Sequence, residues 1–180
     1  MPEHIDRNHI RFLKYDGTAS PEEFLDFASQ CPHLEMLHVA GDFTAHLGAS
    51  SRKLECKVKL ESVRCVVIEV QPTPDFWALI PNVRIAEIRV HLSPDISTFV
   101  NCSPSLEELH VPVSTTSLDK TVLNMPRLRQ LHLWDVQYAW HAARALLDQM
   151  ARSRPSLSIC ICSDSWPCGH PWFRGSTSLS

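Results

Sequence analysis

Apolar residues recur along this chain in a fixed frame, at the first, fourth and sixth places of a six-residue window. Three windows show it outright: Leu34-Glu35-Met36-Leu37-His38-Val39, Leu106-Glu107-Glu108-Leu109-His110-Val111 and Leu128-Arg129-Gln130-Leu131-His132-Leu133. The same frame fits Ile10/Leu13/Tyr15, Leu60/Val63/Cys65, Ile85/Ile88/Val90 and Leu157/Cys160/Cys162. In a strand, places four and six point to one side and place five to the other, so each window predicts a short strand with one buried face. All 21 inward places are apolar or Cys. The first places lie 24, 26, 25, 21, 22 and 29 residues apart, which makes the pattern an internal repeat.

Between the windows the chain carries helix-start chemistry. Ser20-Pro21-Glu22-Glu23 supplies a capping Ser, a Pro at the first helical place and Glu at the third, ahead of Phe24, Leu25, Phe27 and Ala28. Thr73-Pro74-Asp75-Phe76 and Ser93-Pro94-Asp95-Ile96 repeat that start. The longest predicted helix runs from Tyr138 to Arg152, with Trp140, Ala143, Leu147 and Met150 on one stripe.

An L-x-x-L-x-L core at intervals of about 20 to 29 residues resembles the leucine-rich repeat. The likeness covers about residues 10 to 163. It implies an α/β fold, an irregular ribonuclease-inhibitor-like solenoid with parallel strands on the concave face and helices on the convex face. The expected organisation is an N-terminal extension at 1–9, a repeat domain of about seven units at 10–165, and a C-terminal cap with a disordered tail at 166–180. The ninth places (Thr18, Asp42, Ile68, Ser93, Ser114, Val136, Ser165) hold no Asn, so no continuous Asn ladder is expected under the turns. Uneven unit lengths, with Cys31-Pro32-His33-Leu34 and Met125-Pro126-Arg127-Leu128, resemble the repeat region of fungal F-box proteins. That resemblance implies substrate recognition within a ubiquitin ligase complex, although no F-box-like segment precedes Ile10.

Composition narrows the classes. The chain has 180 residues, 44% of them hydrophobic and 21% charged, which suits one globular domain and excludes wholesale disorder. A formal charge of -3 argues against bulk nucleic-acid binding. No apolar run reaches membrane-spanning length, and Glu3, Asp6 and Arg7 stand where a secretion signal needs apolar residues. Seven irregularly spaced Cys, several inside apolar runs, fit a reducing compartment. The expected location is cytoplasmic or nuclear, with no membrane and no nucleic-acid partner.

Place five of each window faces the open side of the sheet and reads Lys14, His38, Arg64, Arg89, His110, His132 and Ile161. Like charges stacked in register repel, so fold stability does not explain this column. One reading is a strip for an acidic or phosphorylated protein partner. The other is a solvated face neutralised by neighbours, Glu87 and Glu108 among them. Trp134 is either an anchor for that partner or a side chain tucked under the next helix. For metals, the spacing Cys160-Ile161-Cys162 and Cys168-Gly169-His170 offers zinc-type donors, although Cys160 and Cys162 fall at inward places. There is no nucleophile elbow, zinc-protease motif, phosphate loop or dinucleotide fingerprint, so the expected function is non-catalytic protein recognition without a cofactor. The alternative is a small hydrolase or zinc-bearing protein built on the C-terminal Cys and His residues.

Overall fold

Short apolar runs become strands, and among the described residues each strand hydrogen-bonds only to its neighbours in chain order. The computed structural model describes residues 6–41, 43, 59–70, 73–90, 104–112, 125–134, 144, 147, 148, 150 and 152–161. Seven strands form one sheet: β1 (Phe12–Tyr15), β2 (Met36–Val39), β3 (Cys65–Ile68), β4 (Ile85–Ile88), β5 (Glu108–Pro112), β6 (Gln130–Trp134) and β7 (Ser158–Ile161). Their order in the sheet is their order in the chain, and all six ladders are parallel. The fold class is therefore α/β with an all-parallel sheet. Parallel neighbours need a crossover, and the intervening segments supply it.

Two crossover helices are described in full. In α1 (Pro21–Ser29) the Ser20 side chain accepts from the Glu23 amide while the Glu23 carboxylate accepts from the Ser20 amide, completing the capping box that the sequence predicts. In α2 (Pro74–Leu79) the Thr73 side chain accepts from the Phe76 amide. Both helices start on Pro, whose missing N–H costs nothing at that place. Of the long helix expected from Tyr138, residues 144, 147, 148, 150, 152 and 153 are described and helical, with Met150 buried and Arg144 and Asp148 exposed. The expected helix start at Ser93 and the expected cap and tail at 166–180 lie outside the described residues. No described helix is long and apolar enough to cross a membrane.

The core lies between one face of the sheet and the helices. Leu37, Val39, Val66, Ile68, Ala86, Ile88, Leu109, Val111, Leu131 and Leu133 are fully buried there. An edge-to-face chain of rings, Tyr15 to Phe24 to Phe43 to Phe76 to Trp77, joins β1 to both helices at centroid separations of 4.8 to 6.0 Å. Just past β2, Gly41 holds a φ of +71°, and a Cβ there would stand 3.2 Å from the Asp16 carbonyl oxygen. A larger residue is excluded on both counts.

The registers correct three of the seven windows. Leu37 pairs with Val66 and Val39 with Ile68, so the third window is Val63/Val66/Ile68 and not Leu60/Val63/Cys65. A slip of three residues reverses the face, and Cys65 points away from the core. Val66 pairs with Ala86 and Ile68 with Ile88, which moves the fourth window to Val83/Ala86/Ile88. In β7, Leu131 pairs with Ile159 and Leu133 with Ile161, so Cys160 lies on the opposite face from the one expected. The physical reason is the turn before each strand. Leu34, Val63, Val83, Leu128 and Leu157 each donate their amide to the carbonyl three residues back, on Cys31, Leu60, Ile80, Met125 and Arg154. Cys31, Leu60, Ile80 and Met125 are themselves buried, which gives an inward place three residues ahead of the window. Leu60 fills that place, and the six-residue frame alone does not distinguish it from place one. Arg154 takes the equivalent place before β7 and donates to the carbonyls of Met125 and Leu128.

With this register, Ile68→Ala should cost about 2–5 kcal/mol of stability by urea denaturation, and Arg64→Ala, at an exposed turn, about 1 kcal/mol or less. Equal losses would place Ile68 outside the core and refute the ladder.

Candidate functional site

The face of the sheet opposite the core carries the polar chemistry. By register one row across all seven strands reads Lys14, His38, Val67, Glu87, His110, His132 and Cys160. Four of the expected strip residues, Lys14, His38, His110 and His132, do share this row. Arg64 does not. It precedes β3, and its guanidinium donates to the Glu61 carbonyl at 2.6 Å, with the Val63 and Asn82 carbonyls at 3.4 and 3.5 Å. It therefore braces two turns. Arg89 follows β4, one alternation along from Glu87 on the same face, and Ile161 belongs to the inward series at 37% exposure. Trp134 ends β6 opposite Pro112 and is half-buried. Cys162, Cys168 and His170 lie outside the described residues, and Cys160 stands one strand beyond His132 in the row.

The row is not a column of unmatched cations. Arg89 donates from Nε to Glu87 Oε1 at 2.7 Å and from Nη1 to Glu69 Oε1 at 2.8 Å. His38 Nε2 lies 3.0 Å from the same Glu69 oxygen. Glu69 and Glu87 thus bracket one guanidinium between β3 and β4, and Glu87 is buried at 4% exposure. A buried carboxylate requires a partner of this kind, because desolvation without one is far more costly than the pair returns. Lys14, at the β1 end, is exposed and makes no ion pair among the described residues.

A second knot lies on β5 and β6. Glu108 and His110, two residues apart, project from the same side of β5, and His132 is the register partner of His110. The two imidazoles stack with centroids 4.1 Å apart and planes 2° from parallel. His110 Nε2 is 2.7 Å from Glu108 Oε1, and His132 Nε2 is 3.7 Å from it. One donor atom from each of the three residues lies within 4.8 Å of the others. His110 is 3% exposed, and the Glu108 and His132 side chains 12% and 22%. Sequence reasoning placed Glu108 as a neutralising neighbour, and it missed Glu69, the row position of Glu87, and Cys160 as a row member. Pro81-Asn82-Val83, matching Pro32-His33-Leu34 and Pro126-Arg127-Leu128, was the available signal for the β4 register.

Protonation follows this packing. Burial holds His38 below the usual imidazole range, against the opposing pull of Glu69 and with help from Lys14 and Arg89. For Glu69, burial pushes the carboxyl up, and the hydrogen bonds and charges of His38 and Arg89 outweigh it, holding it below the ordinary carboxylate range. The Cys65 thiol is pushed up to about 12 by burial and by the carboxylates of Glu87 and Glu108, so it is not a nucleophile at neutral pH.

No protein-family model matches the chain, and neither a curated protein nor a solved structure matches it.

In the unfolded chain a histidine titrates near pH 6.5. With His38 held lower in the fold, the unfolded state binds more protons below that pH, and stability falls on acidification. The urea midpoint of the wild-type chain should therefore fall more between about pH 7 and about pH 5 than that of His38→Gln. Identical pH profiles would show that His38 contributes nothing to the linkage.

Proposed function

We propose that this chain is a leucine-rich-repeat-type solenoid whose open sheet face is concave and binds a protein partner without catalysis. The observation that carries this reading is the identity of strand order and chain order across seven parallel strands spaced by hexad windows. A sheet built that way covers one face with its own crossovers and leaves the other as a continuous surface, the arrangement repeat proteins use for recognition. With the corrected windows the first places stand 24, 29, 20, 23, 22 and 29 residues apart, still within the repeat range.

The chemistry of that face supports a protein ligand over a small molecule. At the β1–β2 end Phe12 is 44% exposed, with Met36 beside it in the ladder and Lys14 on the same face. An exposed aromatic, a Met and a cation make the kind of anchor that protein interfaces favour. Lys14 is matched to a carboxylate or phosphate on the partner, whereas Arg89 is already held by Glu69 and Glu87. The partner is accordingly an acidic or phosphorylated protein, and substrate recognition for a ubiquitin ligase is the context that the F-box resemblance implies.

Proximity capture with the wild-type chain and with Phe12→Ala/Lys14→Glu tests the reading. Partners enriched by the wild type should fall about tenfold or more with the double variant, and their capture should weaken at high salt. An unchanged set of captured proteins would sink the proposal. Turnover of generic ester or phosphate substrates would favour the hydrolase alternative.

A further inference from the structure

We propose that Glu108, His110 and His132 form a site for a divalent transition-metal ion, with Zn²⁺ its natural occupant. The inference is independent of the protein-recognition reading and rests on side-chain placement. A strand's period of two puts Glu108 and His110 on one face, and the parallel ladder sets His132 directly beside His110. The two imidazole Nε2 atoms thereby lie 2.7 and 3.7 Å from one carboxylate oxygen.

The dimensions suit a tetrahedral ion. Zn²⁺ bonds nitrogen and carboxylate oxygen at about 2.0–2.2 Å, so two ligand atoms on its shell stand roughly 3.3 Å apart. The three donors already lie within 4.8 Å of one another, and because the two rings stack 2° from parallel, one imidazole must turn out of the stack for both nitrogens to meet the ion in their ring planes. Their type also fits, since two imidazoles and a carboxylate favour zinc, nickel or copper over magnesium or calcium. Three protein ligands leave a fourth position for water or for a group on a partner, as at zinc sites that do more than staple a fold.

Burial separates this site from a surface ion pair. His110 is almost wholly enclosed, while His132 at 22% side-chain exposure leaves a side open through which the ion enters. Cys160, one strand further along the row, is not among the grouped donors. The metal thus belongs to β5 and β6, and not to the C-terminal Cys and His residues that the spacing alone suggested.

Equilibrium dialysis of the chelator-stripped full chain against zinc, read by elemental mass spectrometry, tests this, with circular dichroism verifying the fold of each variant. The wild type should retain about one equivalent, and His132→Ala and Glu108→Gln, which alter the two less enclosed ligands, should each weaken binding at least about tenfold. Cys160→Ser should bind as the wild type does. Cobalt should give intense visible absorption bands of tetrahedral type that disappear in His132→Ala. Failure of the wild type to retain metal would overturn the proposal. So would full retention by both His132→Ala and Glu108→Gln, because the ion would then sit elsewhere, and so would a loss seen only in Cys160→Ser.

Discussion

A single carbonyl in each unit accepts two amides from the next, and the arrangement of the sheet depends on it. The Arg11 carbonyl takes the N–H groups of Glu35 and Met36, Glu35 takes those of Arg64 and Cys65, and Arg64 those of Arg84 and Ile85. Arg84 then takes Glu107 and Glu108, and Glu107 takes Arg129 and Gln130. The accepting residue sits at the second place of its window in each case. Since these bonds fix where each strand meets the one before it, the turn sets which residues face inward. The last unit keeps only one of the two bonds, from Ser158 to Arg129, and has one residue fewer between Leu157 and the paired strand. That deletion turns Cys160 to the open face.

This explains what could be read from the residues and what could not. The windows at Ile10, Leu34, Leu106 and Leu128 have a charged residue or His at place five between apolar places four and six, so alternation specifies both face and frame. The helix start at Ser20 was equally legible, because capping is local chemistry. Around β3 the run Val63-Arg64-Cys65-Val66-Val67-Ile68 is apolar on both faces, and periodicity has nothing to discriminate. Val67 is wholly buried although it faces the open side, a burial that the six-residue frame does not imply. The error at β4 has another origin: 86, 88 and 90 share one face, so a slip of two leaves the pattern intact and only the Pro-x-Val turn corrects it.

The same slips reorganised the polar face. With the uncorrected frames, Arg64 and Arg89 entered the central row and made it a column of cations. The true frames put Val67 and Glu87 there and move Arg89 to the flank, between Glu69 and Glu87. Electrostatic self-consistency then follows, since Glu69 and Glu87 hold Arg89 between them and Glu108 lies against His110. Glu87 and Glu108 are tolerated at low exposure because Glu87 meets the guanidinium of Arg89 and Glu108 the imidazole of His110.

Exposure along the row also separates two kinds of chemistry. At its centre the side chains are enclosed and mutually satisfied, so they present a stranger with little charge to pair and little area to cover. At the β1 end, Phe12 and Lys14 stand in solvent, and an incoming group gains apolar burial and a charge partner without first breaking an existing bond. The Glu108, His110 and His132 knot has the opposite property. Its donors are already gathered by the ladder, so the entropy of bringing them together has been lost on folding and not on ligand binding. A parallel sheet that fixes register through its turns can therefore carry a rigid polar centre and an adhesive edge on one surface, each placed by the same backbone bonds.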